Sequence, residues 1–294
     1  MGTPDRTTEA LTGTTVVVTG GSTGIGAVCA QHVLAAGGRV VICARNSANL
    51  EATRKSLASL ARAPSDVAAE QADVTSEADL ERVFDRATAY GGRLGMVHAA
   101  ASLAAIGPVA EVDPAAWIDT LRINLFGAFL AARAACRRMI ARGDGGSIVL
   151  FSGGGATSPF PNYTAYGCSK AGVVRLAETL AHELGPHGIR VNCVAPGFVA
   201  TRIHQATLQA GTTAGPAYLE RTRHELREGG VSPDLAARAV VFLLSERSAV
   251  VTGRLLAAVH DHWEDWPDHH AELDGSDLFT LRRIVPRDRG MTWQ

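Results

Sequence analysis

Lysine is almost missing from this chain. Of its 28 basic residues only Lys55 and Lys170 are lysines, and all the others are arginines. A lysine inside a chemical motif therefore stands out. Neither sign of charge is in excess, since 29 acidic residues leave a formal net charge of −1. That balance gives no electrostatic case for nucleic acid or an anionic membrane as the main partner. The five cysteines (Cys29, Cys43, Cys136, Cys168, Cys193) form no C-x-x-C pair, which argues against a zinc knot or a disulfide framework. Thiols set in apolar runs fit a reducing, cytoplasmic setting. No apolar run reaches the length of a membrane span. Residues 1–13 are polar and threonine-rich and lack the apolar centre of a signal peptide, so a flexible lead is expected there.

What is present begins at Val16-Val17-Val18-Thr19-Gly20-Gly21-Ser22-Thr23-Gly24-Ile25-Gly26. A β-branched run enters a glycine cluster, and an apolar helical pattern (Ile25, Val28, Cys29, His32, Val33) leaves it. Glycines allow a sharp turn and a close backbone approach, while the first free N–H groups of the helix face an anion. A phosphate cradle and an ordinary strand-to-helix loop are both compatible with this stretch alone.

Strand and helix patterns then alternate. Strands are predicted at 39–44, 67–72, 94–100, 147–151, 189–194 and near 253–259. Helices are predicted over 24–36, from a Ser47 cap to about 62, from Ser76, from Asp113 through Met139, over 163–184 and over 232–244. Such alternation implies an α/β fold, a doubly wound parallel sheet of about seven strands with helices on both faces. One domain over 14–259 is expected, with a lid at about 202–230 and a charged, aromatic extension at 260–294.

Ligands of such sheets lie beyond the carboxyl ends of the strands. After the second strand comes Ala44-Arg45-Asn46, with no carboxylate for a ribose but a guanidinium suited to a 2′-phosphate. NADP(H) is favoured over NAD(H) on that ground, although Arg45 is also an acceptable solvated surface residue. Asp73-Val74 after the third strand is a candidate adenine border or a plain loop.

Tyr166-Gly167-Cys168-Ser169-Lys170 sets a phenol and an ammonium one helical turn apart. A nearby ammonium stabilises tyrosinate and lowers the phenol pKa, which makes tyrosine an acid–base; the alternative is a surface pair.

At this point the chain resembles the short-chain dehydrogenase/reductase superfamily. Thr19 to Gly26 matches T-G-x-x-x-G-I-G, Tyr166 to Lys170 matches Y-x-x-x-K, Asn124 matches the family's helix asparagine, and Pro196 to Thr201 matches P-G-x-x-x-T. The resemblance spans roughly 14–259 and implies a Rossmann fold. It implies an NAD(P)(H)-dependent oxidoreductase moving a hydride between nicotinamide C4 and a small-molecule ketone or secondary alcohol. Tyr166 would exchange the proton, Lys170 would lower its pKa and bond the nicotinamide ribose, and Asn124 would hold a water of the proton relay. Gly20, Ser22, Thr23, Gly24, Ile25, Gly26, Arg45, Asp73, Val74, Ala99, Lys170, Pro196, Gly197, Val199 and Thr201 would bind cofactor. The family also implies a homodimer or homotetramer.

Two positions depart from the pattern. The family's catalytic serine lies thirteen residues before the tyrosine, where this chain has Gly153. Ser152, turned inward by a bulge, the backbone of Gly153–Gly155, Thr157 or Tyr163 are the candidate substitutes. His98-Ala99-Ala100-Ala101 stands where N-N-A-G is usual, so His98 is either a functional substitute or a satisfied interior histidine. A cofactor-retaining epimerase or other redox-neutral enzyme, and an impaired cofactor-binding relative, are the alternative functions. On the substrate side, Arg202 and His204 are either candidates for an anionic or polar substrate or solvated lid residues, with Phe160 and Tyr163 lining the same pocket. His260, His262, His269 and His270 supply no fixed third ligand, so no metal is assigned; packing on a neighbouring subunit or a place at the pocket rim suits Trp263 and Trp266.

Overall fold

In this computed structural model, which describes residues 9–293, seven strands form one sheet in the order β3-β2-β1-β4-β5-β6-β7. They are β1 Thr14–Thr19, β2 Arg39–Ala44, β3 Val67–Gln71, β4 Arg93–His98, β5 Gly146–Phe151, β6 Ile189–Ala195 and β7 Leu255–Ala257. Every pairing is parallel. Each crossover must therefore carry a helix, and both sheet faces are covered. The β-branched runs have no solvent face to alternate towards, so β1 buries Val16, Val17 and Val18 alike.

Helices α1 (Gly24–Ala35), α2 (Ser47–Ala58), α3 (Glu77–Ala89), α4 (Pro114–Leu121), α5 (Gly127–Arg142) and α6 (Thr164–Leu184) follow the first five strands. The segment 202–230, expected as a lid, carries the short α7 (Gln205–Ala210) and α8 (Pro216–Arg227), and α9 (Pro233–Leu244) precedes β7. One core joins α1, α2 and α9 to Val16, Val40 and Val149; the opposite core joins α3, α5 and α6 to Val17, Val41 and Ile148. Period-two alternation of the strands assigns these sides. The strand order reverses between β1 and β4, which opens a crevice at their carboxyl ends.

Three local expectations change. The cap of α2 is Asn46, whose side chain accepts from Asn49 N at 2.8 Å, and Ser47 is already helical. The helix expected from Asp113 through Met139 is interrupted, because Arg122–Phe126 winds as a π turn with Gly127 N–H reaching Arg122 O. The expected lead at 1–13 falls partly outside the described residues, but Leu11 within it is 1% exposed and its N–H donates to Ala36 O.

Beyond Val259 the chain packs on its own domain. Trp263 and Trp266 belong to the α1–α2–α9 core, and Phe279 O accepts from Leu255 N at 2.8 Å on β7. Arg254 donates to Ser276 O and Leu278 O, while Leu281 N–H reaches the buried Glu178 carboxylate at 2.6 Å. The extension thus blunts the edge strand β7, whose free N–H and C=O groups would otherwise invite pairing.

Candidate active site

A cleft of about 1880 Å³ opens over the carboxyl ends of the strands. Its floor is the glycine turn. Gly20 and Gly24 have φ of 67° and 56°, where a side chain is strained. A β-carbon on Gly26 would meet Gly20 O at 2.4 Å, so the turn closes only with glycine there. Thr23 caps α1 without a side-chain hydrogen bond, and the first turn holds no acidic residue. The free N–H groups at the positive end of α1 are therefore unneutralised, which suits a diphosphate.

Around that floor the cleft gathers Gly20, Ser22, Thr23, Gly24, Ile25, Gly26, Arg45, Asp73, Val74 and Ala99. It also gathers Ser152, Tyr166, Lys170, Pro196, Gly197, Val199 and Thr201. Of the residues singled out in the sequence, Asn124, Tyr163 and His98 do not line it. Arg45 is exposed and its guanidinium has no ion-pair partner among the described residues; only its carbonyl is engaged, by Gln71 at 2.9 Å. Asp73 Oδ1 already holds the N–H and hydroxyl of Thr75, both at 2.8 Å, so that oxygen closes a turn.

The wall that carries Tyr166 and Lys170 is built by α6 and the end of β5. Lys170 is 2% exposed, and its ammonium donates to Phe151 O at 2.8 Å. Burial lowers it from 10.5 to about 8. Its Nζ lies 5.6 Å from the centroid of the Tyr166 ring. The Tyr166 phenol is nevertheless pushed up, first by desolvation and then by Tyr218. This corrects the expectation of a lowered phenol: burial and the neighbouring Tyr218 both disfavour the tyrosinate.

Gly153 explains how the phenol reaches the strand. A β-carbon there would lie 2.4 Å from Tyr166 Oη, so the tyrosine hydroxyl fills the volume beside this backbone. Ser152 keeps the sheet register, its N–H donating to Val194 O at 2.9 Å, so no bulge is needed. Ser152 is 3% exposed and borders the cleft, and its hydroxyl oxygen is buried with no partner among the described residues. Tyr163 does not reach in: it is fully buried, stacked on Phe160 at 4.3 Å, with its hydroxyl donating to Thr207 Oγ1 at 2.9 Å.

Behind this wall Asn124 sits on the π turn. Its Oδ1 accepts from Ser102 N at 2.6 Å, and its Nδ2 donates to Ser102 O at 2.9 Å and Ser169 Oγ at 3.0 Å. π turns inside helices recur at functional sites. His98 is an interior residue, with Nδ1 2.9 Å from Thr19 Oγ1 and Nε2 without a partner among the described residues. Burial, and secondarily the charge of Lys170, lower it from 6.5 to about 3.

Residues 14–211 match the model of the short chain dehydrogenase family. The chain belongs to that family. It is a nicotinamide-dependent oxidoreductase that acts on a CH–OH or C=O group. It is 33% identical over 244 residues to a D-threitol dehydrogenase of Mycolicibacterium smegmatis, a match that covers 83% of this chain and 90% of that protein. It is also 33% identical over 247 residues to 3beta-hydroxysteroid dehydrogenase 1 of Eggerthella lenta, covering 84% and 92%. A short-chain type dehydrogenase/reductase from Mycobacterium ulcerans superposes with a TM-score of 0.73 at 32% identity, covering 84% and 89%. Among short-chain dehydrogenases, then, this member combines the tyrosine–lysine turn with a glycine at the serine position.

Some cleft residues carry no legible signal in the sequence. Phe279 and Thr280, from the extension, reach its wall. Phe198, which the sequence does not single out, stacks at 3.9 Å on His204, which it does. No spacing rule announces either pair, because each depends on how distant segments return. Among the described residues no three His, Cys, Asp or Glu side chains gather as a metal site, and no helix is long and apolar enough to cross a membrane.

Proposed function

We propose that the protein interconverts a small-molecule ketone and secondary alcohol with NADP(H) favoured over NAD(H), and that Tyr166 moves the proton. One observation carries this reading. Lys170 is a buried ammonium with no carboxylate partner among the described residues, one helical turn from a phenol at the cleft. Burying an unpaired charge is costly, and such groups concentrate at working sites.

When bound, the nicotinamide supplies or accepts the hydride at the carbon bearing the substrate oxygen. In reduction, Tyr166 donates its proton to that oxygen, and the Lys170 charge stabilises the tyrosinate that remains. In oxidation the proton returns. The raised phenol keeps Tyr166 protonated in the free enzyme, which suits donation. Ser152, with its hydroxyl unpartnered, positions the substrate oxygen in place of the serine absent at 153. The Asn124 amide holds the π turn, so any part it takes in the relay runs through its backbone.

Arg45 supports the 2′-phosphate preference, since no carboxylate among the described residues pairs with its guanidinium. Phe160 sits edge-on to Tyr166 at 6.3 Å and to Tyr218 at 4.8 Å. That aromatic wall suits a flat apolar ring beside the reacting carbon better than a polyol. The printed activities of relatives include both a hydroxysteroid and threitol. Free thiols support a cytoplasmic location. The exposed, stacked Phe126 and Phe129 offer an apolar patch for a homodimer or homotetramer.

The test is fluorescence titration with NADPH and NADH, followed by turnover on ring and linear ketones. Tyr166→Phe should lower kcat by roughly 10²–10⁴-fold and leave dinucleotide affinity near wild type. Absence of any dinucleotide binding would overturn the reading. A fully active Tyr166→Phe would overturn the role of the phenol.

A further inference from the structure

The lid leaves and returns at one point. Val199 and Gly230 form an isolated antiparallel bridge, and Val231 N–H donates to Phe198 O at 2.8 Å. Just past this neck, Arg202–His204 makes a 3₁₀ turn, with His204 buried and stacked on Phe198. The base of the lid is therefore a fixed unit, and Arg202 moves with it.

Arg202 points back to the glycine turn. Its Nη2 lies 3.5 Å from Thr23 Oγ1. The neighbouring Thr201 packs on the same turn, since a β-carbon on Gly24 would sit 3.2 Å from the Thr201 methyl. Within the lid the other guanidiniums are neutralised on α8: Arg221 by Glu225, and Arg223 and Arg227 by Glu220. Arg202 has no carboxylate partner among the described residues. An uncompensated cation thus hangs over the positive end of α1, which itself lacks an acidic residue in its first turn. Two adjacent positive groups without an anion repel each other, and a dianionic ligand between them removes that repulsion.

We infer that Arg202 binds the diphosphate of the dinucleotide and thereby latches the lid to the cofactor cradle. This rests on the proposed dinucleotide function and extends it to a lid residue. The lid neck then tightens when cofactor enters, so cofactor organises the substrate side before substrate arrives. Arg45 and Arg202 divide the anion between them, one taking the 2′-phosphate and the other the diphosphate common to both dinucleotides.

The experiment titrates NADPH and NADH into wild type, Arg202→Gln and Arg45→Gln by fluorescence, and follows hydrogen exchange over residues 205–229. Both arginines are exposed, so neither change threatens folding. Arg202→Gln should weaken both dinucleotides about tenfold or more, the scale of a lost charge-assisted bond. Arg45→Gln should weaken NADPH alone. NADH should protect the wild-type lid from exchange, adenosine should not, and Arg202→Gln should lose that protection. Wild-type binding with an unchanged Arg202→Gln affinity, or with lid protection retained in that variant, overturns this inference alone. Failure of the wild-type chain to bind either dinucleotide overturns the proposed function and the latch together.

Discussion

The Tyr166 hydroxyl oxygen lies 2.4 Å from where a β-carbon of residue 153 would stand. Gly153 is therefore the space that lets the phenol reach the end of β5, and the φ of Gly153 is not in the left-handed region, so volume alone decides what the position accepts. Gly153→Ser, which restores the family's usual residue, should lower kcat/KM by about 10²-fold, the scale of displacing a reacting group by an ångström. Gly153→Ala should do the same and shows that the hydroxyl is not at issue. Both should lose on the order of 1–3 kcal/mol of stability, as overpacked sites do. Steady-state kinetics and thermal melts of the two variants check this; a gain in rate with Gly153→Ser would show that the phenol yields freely.

That contact marks where sequence reasoning ends. The cradle from Thr19 to Gly26 and the Tyr166–Lys170 turn are local patterns, each set by spacing within one turn or one helix, and both were legible. So was the doubly wound order, because parallel pairing forces a helix between strands. The approach of Gly153 to Tyr166, the grip of Asn124 on Ser102 and Ser169, and the reach of Arg202 to Thr23 join residues far apart in the chain. Their geometry comes from packing, and no periodicity encodes it. The raised phenol of Tyr166 has the same origin: spacing reports that a lysine is near, while only burial reports how much water both groups have lost.

Lys170 should set a pH limit on the proposed reduction. Burial brings its ammonium down to about 8, so the charge is present below that pH and lost above it. The Tyr166 phenol, pushed up by burial, stays protonated through the same range. The rate of reduction per free enzyme should therefore hold steady below pH 8 and fall about tenfold per unit above it, since kcat/KM reports groups of the free enzyme. Lys170→Arg, whose guanidinium keeps its charge, should remove that alkaline limb even where the absolute rate drops. A profile of kcat/KM for the dinucleotide from pH 6 to 10 makes the measurement.

Asn124 ties the π turn to the loop after β4 and to α6. Asn124→Leu keeps the branching of the side chain, at a larger volume, but removes all three hydrogen bonds, leaving Ser102 N–H and C=O without these partners. Each unsatisfied buried group costs on the order of 1–3 kcal/mol. The variant should melt markedly lower and lose turnover, while Asn124→Asp keeps the Ser102 N–H bond and should retain more stability than Asn124→Leu. Melting temperatures of the pair rank the two, and equal losses would show that volume, not bonding, holds the turn.

His98 should give the protein an acid-sensitive limb. Its folded-state value of about 3 lies below the ordinary 6.5, so between those pH values the unfolded chain binds a proton that the folded chain refuses. Stability tied to this residue is complete above pH 6.5 and is lost as pH falls towards 3. The linkage slope for one proton is about 1.4 kcal/mol per pH unit. His98→Asn removes the titration while offering Thr19 Oγ1 a side-chain partner on the same strand end. Its melting temperature should fall less steeply than wild type between pH 6.5 and 4, with the two curves parallel above pH 7. Parallel curves throughout would mean that His98 takes up its proton in the fold, and that the unpartnered Nε2 is reached by water.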